Sequence, residues 1–163
     1  MKSEVKVSSV ENQFICHLTI KKEELLFQYF QDDTIQKEIK LPAGYEFIWS
    51  KFFQHPIPTD AEIDYAINYI EDALMSNKEL LNHNKEIYSG DKKLIAVFQK
   101  NELTNDFLSR LAVEDLFNRY ARVIMGAPLS SIKAEITAED CAILLILREI
   151  MHHLNFDTIR FKF

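Results

Sequence analysis

Towards the carboxyl end of the sequence a glutamate is followed, three and four residues on, by two histidines: Glu149, His152 and His153. On a helix these spacings place the carboxylate on one face with each imidazole in turn. Such a set can bind a divalent metal or pass a proton, and carboxylate-bridged di-iron bundles use a Glu-x-x-His pair on each of two helices. Here the pairing occurs once, and its nearest echo, Glu79 with His83, has a different spacing. A simpler account is electrostatic: histidines in a last turn complement the negative end of the helix dipole, with Glu149 as a solvated partner. Glu149, His152 and His153 stand as the metal or acid–base candidates, and no cofactor is predicted.

Arg119 and Arg122, one helical turn apart, could hold a carboxylate or phosphate through forked hydrogen bonds. Asp115 lies four residues before Arg119, and Arg110 four before Glu114, so ordinary helix-surface ion pairs explain the same charges. A third candidate set is aromatic. Tyr45, Phe47, Trp49, Phe52 and Phe53 crowd into one short stretch, where Tyr45, Trp49 and Phe53 could wall a ligand pocket or form an interface. Plain core is the commoner use of such a block. Asp60, Glu62, Asp64, Glu71 and Asp72 decorate a following helix, the first two accounted for by its amino-terminal dipole.

Several chemistries are absent from the sequence. With three separated glycines, Gly44, Gly90 and Gly126, no glycine-rich loop can cradle phosphates. No nucleophile elbow and no paired zinc histidines occur.

The elements that must position these groups begin with a period-two pattern over residues 5–41, predicting a meander of about four strands. In residues 35–41, Ile35, Ile39 and Leu41 face one side while Gln36, Glu38 and Lys40 face the other, with Lys37 the one violation. A short aromatic helix over 45–54 is stopped by Pro56 and Pro58. Thr59 and Glu62 have the spacing of a capping box, and Ile63, Ala66, Ile67, Ile70 and Leu74 continue as an apolar stripe.

Residues 86–98 read as a hairpin turning at Ser89, Gly90 and Asp91, and residues 105–125 as a long helix ended by Gly126 and Pro128. A helix over 138–154, opened by Thr137, is apolar almost all round and must be covered on several sides. The alternating residues 158–163 predict a last strand tied into the sheet.

At 163 residues, 47% of them hydrophobic, the chain is read as one domain with a core that needs no staple. A net charge of −6 repels phosphate backbones and anionic lipid, which argues against nucleic acid and membrane surfaces as partners. The longest apolar run, residues 141–147, falls far short of the roughly 18–20 residues that span a bilayer. Cys16 and Cys141 read as reduced, buried thiols, and no secretory leader pattern opens the chain, so a cytoplasmic location is expected.

Together these readings predict an α+β fold: an antiparallel meander sheet of six or seven strands with three long helices packed against it. The leading functional expectation is a non-catalytic binding protein, acting on a protein partner or as a homodimer. The alternatives are a small enzyme or metal-dependent protein with its site near the end of the 138–154 helix, and a carrier of an apolar small ligand.

Overall fold

The computed structural model describes residues 14–80, 84–132 and 134–161. The chain runs β1 (Ile15–Ile20), β2 (Leu25–Gln31), β3 (Thr34–Leu41), α1 (Tyr45–Phe52), α2 (Asp60–Met75), β4 (Glu86–Ser89), α3 (Lys92–Lys100), β5 (Phe107–Ser109), α4 (Arg110–Ile124), α5 (Ala138–His153) and β6 (Thr158–Phe161). The expected strand segment from Val5 lies outside the described residues, as do His83 and residues 162–163.

The six strands lie in the order β3-β2-β1-β4-β6-β5. The first three form an antiparallel meander, whereas β1 pairs with β4, and β4 with β6, in parallel. This corrects the expectation of an antiparallel sheet with three helices: among the described residues the sheet is mixed and five helices accompany it. The physical reason is that a period of two reports which face a side chain takes and is silent on strand direction. Parallel neighbours require long crossovers, supplied here by α1 with α2 and by α3 to α5.

Two expected elements resolve differently. The hairpin over 86–98 is a strand followed by a helix, because the Asp91 carboxylate accepts from the amides of Lys93 and Leu94 and so caps α3. Leu94, Val97 and Phe98 then fall on one buried helical face. The helix over 105–125 is split: residues 107–109 pair with β6, and Ser109 caps α4 by accepting from the Ala112 amide. Ile35 is exposed instead of facing the core beside Ile39 and Leu41, since the register shifts between Tyr29 and Phe30 and a bulge reverses the alternation.

Helix α5 lies at the centre of the core. Every residue from Cys141 to Leu147 is buried, and the helix touches α1, α2, α3 and α4, which is why its apolar surface runs all round. Each fully buried Leu or Ile contributes about 1.5–3 kcal/mol. The sheet joins the same cluster through Cys16, Leu18, Ile20, Phe27, Ile87 and Ile159. The opposite sheet face carries Gln28, His17, Tyr88 and Arg160 in one cross-strand row. Among the described residues no helix is long and apolar enough to cross a membrane.

Candidate functional site

The residues singled out by spacing meet at the carboxyl end of α5. Glu149 is buried, accepts from Arg148 Nη1 at 2.7 Å, and lies 2.9 Å from His153 Nε2. Beside Arg148 the carboxylate is an acceptor, so the imidazole donates to it through Nε2. Arg148 also reaches Glu114 Oε2 at 3.1 Å and lies over the Phe117 ring. The helical pair expected between Arg110 and Glu114 is replaced, since Arg110 turns to Asn155 and Asp157.

His152 meets His153 edge to face and points to a separate place, a cavity of about 560 Å³ lined by Arg110, Leu111, Glu114, His152 and Asn155. The structure thus brings Glu149 and His153 together and sets His152 apart from the carboxylate. Among the described residues no group of three or more His, Cys, Asp or Glu side chains is arranged to hold a metal ion. Arg119 and Arg122 are both exposed on α4 and line neither this cavity nor the one beside α2 described below. Tyr45 and Phe53 are buried in the core, and Trp49 packs against it.

The other end of the sheet holds an arrangement that no spacing revealed. Strands β1 and β4 pair only at Cys16 with Ile87 and His17 with Tyr88, then separate. Side chains bridge the gap: Ser89 Oγ donates to the Leu18 carbonyl at 2.7 Å, and Asp91 Oδ2 accepts from the Ile20 amide at 2.8 Å. Beyond β1 the chain turns to one side into β2, and beyond β4 it turns to the other through α3. In open sheets with parallel strands, ligands bind outside the carboxyl ends of the strands at such a reversal.

The first turns of α1, α3 and α5 converge there around one ammonium. Lys93 Nζ lies 2.7 Å from Glu139 Oε1 and 5.0 Å from the Tyr45 ring centre. The hydrogen bond to Glu139 raises the Lys93 pKa, against the opposing effect of partial burial. Nearby, Lys100 pairs with the buried Asp140 at 2.8 Å, and Thr137 caps α5 by accepting from the Asp140 amide.

The amino end of α1 is closed by the hairpin between β1 and β2: the Lys21 and Lys22 carbonyls accept from the amides of Tyr45, Glu46 and Phe47. Gly44 permits that approach, since a Cβ there would collide with both carbonyls and with the Glu24 amide. Sequence reasoning missed Asp91 and Lys93 because residues 89–91 read as a turn. The overlooked signal was an Asp followed at helical spacing by Leu94, Val97 and Phe98.

No protein-family model matches the sequence, and no curated protein matches it. Solved structures do match in fold. The Ppx/GppA enzyme of Aquifex aeolicus superposes with a TM-score of 0.70 at 11% identity, over 93% of this chain and 54% of its own. The type II variant of the Aquifex aeolicus Ppx/GppA phosphatase gives 0.70 at 12% identity, over 93% and 53%. An exopolyphosphatase from Cytophaga hutchinsonii gives 0.65 at 12%, over 93% and 54%.

The chain therefore has a Ppx/GppA-like fold and spans about half the length of the structures it resembles. This overturns the expectation of a non-catalytic binding protein. That expectation rested on missing local motifs, a weak argument for a scaffold with solved examples named as a phosphatase and an exopolyphosphatase, because active sites are assembled from residues distant in sequence.

Proposed function

We propose that the chain forms one wall of a hydrolase site for phosphate-bearing substrates, with the substrate anion lying over the carboxyl ends of β1 and β4. The observation that carries this reading is the meeting of three helix amino ends around Lys93 at the point where the sheet's connections reverse direction. The fold likeness to phosphatases and exopolyphosphatases supports it.

Helix amino ends favour anions, yet here the amides of α1 are given to hairpin carbonyls and those of α3 to Asp91. Side chains must therefore meet the phosphate. Lys93 exchanges Glu139 for a phosphate oxygen, with the exposed Lys22 of the β1–β2 hairpin and Lys92 at the start of α3 beside it. The released Glu139 carboxylate is then placed to take a proton from the attacking water. Residues 1–163 act as one cytoplasmic domain in this reading, supported by the single core cluster and by two free thiols, Cys16 and Cys141.

A second reading places the enzyme's site at the carboxyl end of α5, on the strength of the Glu149–His153 contact beside the cavity lined by Arg110 and His152. One assay separates the two: orthophosphate release from tripolyphosphate, with magnesium added. Release that falls at least about tenfold in Lys93→Gln and is unchanged in Arg110→Gln is the expected result, the equivalent of roughly 1.4 kcal/mol in the barrier. Loss in Arg110→Gln alone moves the site to α5. A wild-type protein that neither binds nor hydrolyses tripolyphosphate overturns the phosphate reading.

A further inference from the structure

Away from both ends of the sheet, α1 and α2 place three aromatic rings around one cation. Lys51 Nζ lies 5.2 Å from the centre of Phe47, 5.7 Å from Phe52 and 5.1 Å from Tyr69, all within the distance at which a ring quadrupole attracts a positive charge. The rings pack on one another, Tyr69 standing 5.4 Å from Phe47 and from Phe52. Tyr69 is fixed in place by its hydroxyl, which donates to the Pro42 carbonyl at 2.7 Å. The same Tyr69 walls a cavity of about 410 Å³ between the end of β3 and α2, lined also by Leu41, Pro42, Asp72, Ala73 and Ser76.

The geometry points to a binding site for a small organic cation of the methylated-ammonium class, seated against the Tyr69 ring in this cavity with Asp72 as its counter-charge. Three features choose that class. The cavity is walled by Tyr69, one ring of the cluster that already holds an ammonium, and its one carboxylate belongs to Asp72. The chain as a whole carries a charge of −6, which draws cations.

The shape of the cluster is the third. Elsewhere in the molecule a guanidinium stacks on a single ring, Arg148 on Phe117 and Arg160 on Phe107, as a planar cation does. Lys51 instead engages three rings, the surroundings that suit a rounded ammonium head. Lys51 is a tethered competitor on an exposed side chain, and the ring it shares with the cavity is that of Tyr69.

The test titrates the full chain with choline and, separately, with its neutral isostere 3,3-dimethylbutanol, following the aromatic proton resonances of Phe47, Phe52 and Tyr69. Choline is expected to shift all three saturably and to bind about tenfold more tightly than the isostere, a difference of roughly 1.4 kcal/mol. Lys51→Met should tighten choline binding, Asp72→Asn should weaken it, and Tyr69→Phe should retain it while Tyr69→Ala abolishes it. Lys51 and Asp72 are both exposed, so their variants report on binding even where Tyr69→Ala fails to fold. Binding seen in Lys51→Met alone supports the site as one masked by its own lysine. Equal affinity for choline and the isostere, or no saturable shift in Lys51→Met, overturns the proposal.

Discussion

Glu149 and His153, four residues apart on α5, meet at 2.9 Å between Oε2 and Nε2, with the carboxylate buried and Arg148 on its other oxygen. A buried carboxylate held from two sides is costly to remove from one side only. Glu149→Ala, which leaves His153 without this acceptor, is expected to destabilise the protein by about 1–3 kcal/mol, read as a lower denaturant midpoint. A double variant that also carries His153→Gln should lose less than the sum of the two single losses, since they share one contact. Additive losses would show that the two side chains do not act together.

Gly44 sits where the first turn of α1 meets the β1–β2 hairpin, and an added Cβ would strike backbone on that hairpin. Gly44→Ala is expected to cost about 1–3 kcal/mol through overpacking, measured as a fall in thermal midpoint. Gly126, which has a positive φ and open space around its Cα, makes the control: Gly126→Ala strains the backbone without any collision, so the two glycines fail for different reasons.

Thr59 and Glu62 were expected to close a reciprocal box, and half of it forms: Thr59 Oγ1 accepts from the Glu62 amide, while the Glu62 carboxylate binds the Gln54 amide and His55. Burial acts to raise the Glu62 pKa, but the bonds from His55, the Gln54 amide and Thr59 outweigh it and hold the carboxyl below its ordinary 4.5. A depressed carboxyl adds stability above the unfolded-state value and loses it as pH falls through the folded-state value. The stability gap between wild type and Glu62→Gln should therefore persist from neutral pH down to about 5 and close below 4.5. A gap that widens in acid would contradict this assignment.

Burial pushes the thiols of Cys16 and Cys141 up to about 12. Reactivity follows the thiolate, so iodoacetamide should label neither cysteine in the native protein at pH 8 and both in denaturant. Rapid native labelling of either would place it at the surface.

What the sequence disclosed, and what it hid, divides by distance along the chain. The caps at Thr59 and Thr137 are bonds across three residues, and both form. The apolar surface of α5 announced its burial, because one helix carries the whole signal. Lys93 and Glu139 are 46 positions apart, and Asp91 is 71 from Ile20. No local period records such meetings. Residues 94–98 form a short apolar run that serves a strand or a helix equally, and only the Asp91 cap decides between them. At the other end of the sheet, Glu149 and His153 were legible as a pair, whereas the diversion of Arg110 to Asp157 depended on the arrival of β6.

The bridges from Ser89 and Asp91 to β1 have a consequence in time. Each closes a loop of 71 residues, so the inner edge of β1 has no neighbour while only the first meander has left the ribosome. That edge stays open until β4 emerges, and the far side of β4 stays open until β6 is made. An unpaired edge is a template for pairing with another nascent chain. The yield of folded protein should thus respond strongly to synthesis rate, with slower translation and lower temperature favouring it, independently of how stable the finished molecule is.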